Sequence, residues 1–458
     1  MLAFRVRHPG DSEGAVEQIP IPVPKRGEAL VRVLRAGICN TDLEIMKGYM
    51  GFSGVLGHEF VGIVEQFAED GVPEQQRRRL AGKRVVGDIN LACAECSVCA
   101  RRNDRSRNHC PTRTVLGILA KDGTFAEYLT LPVVNLHLVP DGVTDEQAVF
   151  CEPLAAACRV VEQGLARNSD DGSFGEIAIL GDGKLGLMVA EVLGREHIRW
   201  MAASTTSSST ACKIVPAPIL FGKHAHKLAF VKSSGVECRL VSELYDKDKS
   251  NNTVSAEYMG KFDVVVDATG SPSGLSLASS MCRPMGTLVL KSTCADGEAF
   301  NAAPFVINEL RVVGSRCGPF PEALRLLAIT DDKDLNKKKG EEPKAPTASN
   351  CCSAVGMKRR VFAFAALACG LSLGAVGRLL LGKPFSSLAI TKSAAIATVC
   401  GLAAVALNHK EASTSSPAMA SLRVEKYVTK CFPLKRADEA IKFAAERSTM
   451  KVQLICGD

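Results

Sequence analysis

EIAILGDGKLGLMVAEVLG, residues 176–194, passes from an unbroken apolar run through Gly181, Gly183 and Gly186 into apolar residues at helical spacing. A buried strand, a tight turn and a helix are the simplest path for such a chain. In that setting the first glycine permits the turn and the second lets the backbone approach a pyrophosphate. The third lets the helix pack on the strand, with phosphate charge at the helix N-terminus. The stretch therefore predicts a dinucleotide-binding unit.

Downstream, "APILFGKHAHKL", "FDVVVDATGS", "GTLVLKST" and "LRVVGSR" are short, continuous apolar runs alternating with helical patterns, as in a parallel sheet covered on both faces. An acid at the end of the second strand would hold the ribose 2′-hydroxyl of NAD. Gly222 falls there and Lys223 follows, leaving room and positive charge for a 2′-phosphate, so NADP is favoured over NAD. Residues 199–218, with the run "STTSSST", predict a polar loop inserted before that strand. Upstream, residues 1–150 hold short β-branched runs between turn residues and predict a β-rich domain.

The composition of the 458 residues, 46% hydrophobic and 23% charged, is that of a globular chain of several domains. The net charge of +7 is concentrated, because residues 331–420 carry 12 Lys/Arg against 6 Asp/Glu. The remainder is nearly neutral, which argues against nucleic-acid binding. "MLAFRVRHPGDSEG" has no apolar leader, so the 18 cysteines are expected in a reducing, cytoplasmic setting, where clustered thiols serve metals.

One such cluster is Cys93, Cys96 and Cys99, joined by Cys110 ten residues on. Four thiolates close a tetrahedral shell and predict a structural zinc. A second, dispersed set is Cys39 in "GICNTD", His58 and Glu59 in "GHEFVG", and Glu152 in "FCEPLA". Cysteine, histidine and carboxylate suit a zinc that keeps one position open for substrate.

Residues 331–420 interrupt the alternating pattern with linker-like ends around two apolar runs, 361–381 and 385–407. Each is long enough to cross a ~30 Å hydrocarbon layer. Each also carries one cation, Arg378 or Lys392, which disfavours insertion. A membrane contact is expected only through 361–407, the alternatives being a helical hairpin packed on the surface or a segment absent from the mature protein.

These signatures in this order, with "DGTFAEYLTLP" and a final "KCFPLKRADEAIKFAAERSTMKVQLIC", resemble the zinc-dependent medium-chain dehydrogenase/reductase (alcohol, polyol and threonine dehydrogenase) family. The resemblance covers residues 1–330 and 421–458 and implies an α/β protein. Its parts are a GroES-like β-rich catalytic domain (1–151), a Rossmann doubly wound parallel-sheet cofactor domain (152–330), an inserted segment (331–420) and a C-terminal segment completing the first domain (421–458). By resemblance Cys39, His58 and Glu152 hold the catalytic zinc, Glu59 is an alternate ligand, and Cys151 is a competitor of Glu152. Thr41 relays the alcohol proton, with Glu44 standing where some members have a relay histidine. Thr269, in "DATG", lies at the cofactor cleft and Lys451 approaches the pyrophosphate. The implied activity is hydride transfer between an alcohol or polyol and NAD(P), in a homo-oligomer. The alternative is a catalytically silent binding or scaffold protein, tethered to a membrane, that keeps the fold.

Overall fold

Strand Ile177–Leu180 is buried at every residue because it occupies the middle of a six-stranded parallel sheet. The computed structural model describes residues 1–10, 13–101, 107–167, 173–206, 215–246, 254–292, 301–329 and 422–457. The strands are ordered Glu237–Leu240, Ile219–Gly222, Ile177–Leu180, Phe262–Asp267, Cys282–Leu290 and Arg311–Gly314. The order in which strands are added reverses between Ile177–Leu180 and Phe262–Asp267, which stay parallel to each other. The carboxyl ends of these two strands, with Gly181 and Asp267, therefore form the crevice where ligands of open α/β sheets bind.

Helix Lys184–Thr206 leaves that crevice directly from the glycine turn. Gly181 has φ +109°, and a Cβ on Gly186 would lie 2.0 Å from the Gly181 carbonyl oxygen. Strand and helix thus touch through backbone alone. The helix also runs further than the sequence predicts. The polar insertion expected at 199–218 begins as helix through Thr206, and residues 207–214 lie outside the described residues. The reason is packing: Arg167 stacks over the Trp200 ring at 4.4 Å, and Arg199 pairs with Glu196. These contacts override a local composition that favours a loop.

The β-rich part is organised by the eleven-residue strand Glu28–Ile38. One edge pairs with Glu59–Phe67. The other edge is shared, with Tyr128–Pro132 opposite residues 28–32 and Lys451–Ile455 opposite residues 35–38. Val428–Pro433 pairs in parallel with Lys451–Ile455, and helix Ala437–Ala444 makes the crossover between them. Val452 and Leu454 are fully buried beside Ala36, Ile38 and Phe60. At roughly 1.5–3 kcal/mol for each buried side chain, these two residues anchor the returning strand.

The unit so built comprises residues 1–331 with 419–458. The insertion expected at 331–420, with its apolar runs at 361–381 and 385–407, lies outside the described residues. Among the described residues no helix is long and apolar enough to cross a membrane.

Gly186→Ala must drive a methyl into the Gly181 carbonyl, and overpacking of this kind costs about 1–3 kcal/mol or more. Urea unfolding should show a lowered midpoint with an unchanged slope.

Candidate active site

Cys39 follows strand Glu28–Ile38 directly and caps helix Asn40–Met46. Three residues into the turn, Asp42 accepts the Cys39 backbone N–H through Oδ2 at 2.8 Å. Its other oxygen, Oδ1, faces His58 Nδ1 at 3.3 Å. One buried carboxylate thereby fixes the cysteine backbone and stands within ion-pair range of the histidine ring. With Nδ1 against Asp42, His58 keeps Nε2 for another partner. Burial alone would push the His58 imidazole down, but the Asp42 carboxylate and Cys39 hold it well above its ordinary value. The surroundings thus favour positive charge at this point.

Cys39, His58 and Glu59 bring a sulfur, a ring nitrogen and a carboxylate oxygen within 4.8 Å of one another. Glu152 is outside this tight group, although its carboxyl senses both His58 and Glu59. Glu59 is already engaged, since both its oxygens accept from Lys451 Nζ, at 2.7 and 2.6 Å. Lys451 is 2% exposed and Glu59 fully buried, so the lysine expected at the pyrophosphate also forms a buried ion pair. Glu152 makes no hydrogen bond among the described residues, and burial pushes its carboxyl up to about 7. Thr41 places its hydroxyl 3.7 Å from Cys39 Sγ.

The glycine turn leads into helix Lys184–Thr206, whose first residue, Lys184, feels the charges of this cluster. Burial, and then the neighbouring Lys451 ammonium, push Lys184 down to about 8, while Cys39, Glu59 and Asp42 act on it in the opposite sense. Thr269 is also at the turn: a Cβ on Gly181 would lie 3.0 Å from its Cα, and its hydroxyl donates to Asp267 Oδ1 at 2.8 Å. Gly183 has nothing within 4 Å of where a Cβ would stand, which leaves its backbone open to an approaching ligand. Gly222 closes the second strand, with Lys223 exposed just beyond it.

The four-cysteine lobe is equally compact. Its sulfurs lie 3.5 Å apart for Cys93–Cys110 and Cys96–Cys99, 3.9 Å for Cys96–Cys110 and 4.0 Å for Cys93–Cys99. A tetrahedral shell with zinc–sulfur bonds near 2.3 Å needs sulfur–sulfur edges of about 3.8 Å. The ten-residue gap before Cys110 is therefore no obstacle to closure. A backbone N–H from Cys93 lowers the Cys110 thiol to about 6, whereas desolvation and the Cys96 thiol push Cys99 up to about 12.

The alcohol dehydrogenase GroES-like domain matches residues 25–141, and the zinc-binding dehydrogenase domain matches residues 211–329. The starvation-sensing protein RspB of Escherichia coli (strain K12) is 35% identical over 305 residues, which is 66% of this chain and 80% of that protein. The chain belongs to the zinc-dependent medium-chain dehydrogenase/reductase family.

The D-arabitol-phosphate dehydrogenase of Enterococcus avium resembles this dehydrogenase at 27% identity over 343 residues, 72% of this chain and 88% of that one. A zinc-binding dehydrogenase of Sinorhizobium meliloti 1021, solved with NADP, has the same fold, with a TM-score of 0.63 and 21% identity, covering 99% of this chain and 98% of its own. The dehydrogenase is an oxidoreductase whose cofactors are zinc and NAD(P), and its residues fit both. The thiol, imidazole and carboxylate donors suit a zinc with an open position, the sulfur tetrahedron suits a closed one, and the unobstructed Gly183 suits a pyrophosphate.

Two residues of the site carry no sequence signal strong enough to single them out. Asp42 is an ordinary acid in a helical turn until the fold sets it against His58. Lys184 reads as filler between two glycines until the fold exposes it to the charges of Lys451, Cys39, Glu59 and Asp42. Outer partners of metal-bound histidines are worth 10–100-fold in affinity. Asp42→Ala should therefore weaken zinc binding at the Cys39–His58 site about 10–100-fold in a chelator competition, while the lobe keeps its metal.

Proposed function

We propose that this dehydrogenase interconverts an alcohol of the polyol type and the corresponding carbonyl compound, using NAD(P). The observation that carries the reading is the Cys39–His58–Glu59 donor set, held within 4.8 Å, in a chain whose glycine turn leaves Gly183 open to a pyrophosphate. The curated relatives include dehydrogenases named for D-altritol and sorbitol, which supports a polyhydroxylated substrate.

We assign the catalytic zinc to Cys39 and His58, completed by Glu152. Glu59 is the alternate, disfavoured as a steady ligand because Lys451 occupies both its oxygens. The structural zinc goes to Cys93, Cys96, Cys99 and Cys110. Zinc supplies a Lewis acid that eases loss of the hydroxyl proton, and the nicotinamide supplies a hydride acceptor. Thr41, beside Cys39, is positioned to take that proton and pass it outward. Asp42 holds the His58 ring in orientation, and the Lys451–Glu59 pair keeps the site's inner wall electrically balanced. The functional units implied are 1–151 and 421–458 for catalysis and 152–330 for the cofactor.

We further propose that the working form is a homo-oligomer joined through the outer strand Arg311–Gly314. That strand ends the parallel sheet, and nearby Met285, Val306, Ile307 and Val312 are 60%, 73%, 78% and 44% exposed. An open strand edge beside apolar side chains is a surface that folded proteins ordinarily cover. Ile307→Lys with Val312→Lys should reduce the mass measured by light scattering to that of one chain, leaving the far-ultraviolet circular dichroism intact.

Zinc content by elemental mass spectrometry tests the metal assignment. The wild type should hold two zincs per chain and Cys39→Ser one. NAD(P)H formation from polyols should fall at least ~100-fold in that variant, the scale of losing a group that stabilises transition-state charge. One zinc per chain, unaffected by Cys39→Ser, would leave only the cysteine lobe and favour a non-catalytic binding protein.

A further inference from the structure

Beyond Glu152, helix Cys151–Glu162 carries a second charged position on the same face. Arg159 follows Glu152 by two helical turns, roughly 10 Å along the axis, and both side chains are buried. Against this stretch lies the turn after strand Arg311–Gly314. A Cβ on Gly318 would stand 1.8 Å from the Ala155 carbonyl oxygen and 3.1 Å from Arg159 Cβ. Lys291 Nζ fastens the same turn, donating to the Ala156 carbonyl at 2.6 Å, the Arg316 carbonyl at 3.2 Å and Ser315 Oγ at 3.3 Å. Cys317 is thereby placed within electrostatic reach of Glu152. Its neighbour Arg316 extends to the β-rich domain, where Nη2 donates to Asn90 Oδ1 at 2.8 Å and Nη1 to the Asn108 carbonyl at 3.5 Å. Arg113 sets Nη1 on the Cys110 carbonyl at 3.4 Å, and Arg113, Arg159 and Arg316 all act on the His109 ring.

This wall is short of negative charge. Arg159 pairs with Glu162, and Asp88 Oδ1 already accepts from the Asn90 backbone and amide at 2.9 and 3.3 Å. Arg113 and Arg316, half-buried and exposed, meet only neutral oxygens, and among the described residues neither forms an ion pair. Arg113 Nε is buried with no hydrogen-bond partner. A buried donor left unmade costs stability, and a guanidinium brings five donors in a fixed fork. Two permanently charged forks without counter-ions, within a sugar chain's reach of Glu152, suit an oxyanion at the far end of a substrate. We propose that Arg113 and Arg316 bind an anionic group, a carboxylate or a phosphate monoester, on the end of the polyol remote from the reacting hydroxyl. The inference rests on the polyol reading above and goes past it by naming the charge of the substrate and the residues that select it. Asn90 and Asn108 hold the Arg316 fork, and Lys291 holds the turn that carries it.

Steady-state kinetics of the zinc-loaded full chain with sorbitol, gluconate and sorbitol phosphate, each with NAD and with NADP, test the proposal. At least one of the acids should be oxidised with kcat/KM at least ~10-fold above that of sorbitol, the scale of charge-assisted hydrogen bonds to the added group. Which acid gains distinguishes carboxylate from phosphate. Arg316→Gln should remove most of that ratio, and Arg316→Lys, which keeps the charge without the fork, only part of it. Arg113→Gln gives up a single long internal contact. It should therefore fold normally, with unchanged zinc content, and lower the ratio mainly through the KM of the acid. A loss shared equally by acid and neutral polyol in these variants would make the arginines mere ties between segments and overturns the proposal. A wild type that prefers sorbitol, or treats all three alike, overturns it as well. Oxidation of none of the three would instead overturn the polyol dehydrogenase reading, and the proposal with it.

Discussion

The ion pair between Lys451 and Glu59 is the constraint around which the catalytic half is arranged. Both charges are out of water, a transfer that costs several kcal/mol per ion unless hydrogen bonds and geometry offset it. The Lys451 ammonium meets both oxygens of Glu59 and also approaches the Ile38 carbonyl at 3.4 Å. Lys451 opens the last strand, while Glu59 directly follows His58 and opens the strand paired with Glu28–Ile38. One contact therefore ties the end of the chain to the histidine of the donor cluster, next to the residue that precedes Cys39. Removing the lysine alone would leave a buried carboxylate uncompensated, a loss of about 3–5 kcal/mol in comparable cases.

Around this pair the charges alternate in a way that suits a cation. Asp42, Glu59 and Glu152 contribute carboxyl groups and Cys39 a thiol, against the buried ammonium of Lys451 and the nearby charge of Lys184. The His58 ring responds by holding positive charge more readily than an ordinary imidazole. Proton and zinc compete for such a ring, so metal loading at this site is coupled to pH in a way that the all-thiol lobe reproduces only through its own, differently shifted groups.

Much of this architecture is legible in the amino-acid order because it depends on short-range spacing. Gly181, Gly183 and Gly186 sit in one turn, and Cys93, Cys96 and Cys99 in one loop, so local geometry carries their meaning. Cys39 and His58 are readable only as members of a known pattern. Asp42 and Lys184 are not readable at all, since each meets the charges around it only when distant segments are brought together. Lys451 has a partner that its sequence position does not reveal. A basic residue near the cofactor domain suggests a phosphate contact, and only the packed sheet reveals the carboxylate that engages it. The helix through Trp200 fails in sequence reasoning for a related cause. Its serine- and threonine-rich composition describes a loop, while a cation stacked on the indole and an ion pair along its surface keep it helical.

The shared edge of strand Glu28–Ile38 has a consequence for biosynthesis. Residues 28–32 find their neighbour at 128–132, soon after they are made, but residues 35–38 must wait for 452–455. During translation the segment leading into Cys39 is therefore an unpaired strand edge while more than three hundred residues, including the 331–420 segment, are added. Exposed edges of this kind invite wrong pairing in a nascent chain. The enzyme's metal-binding half is thus finished last although its ligands are synthesised first, and a ribosome that stalls inside the long segment releases a cofactor domain without a completed catalytic one.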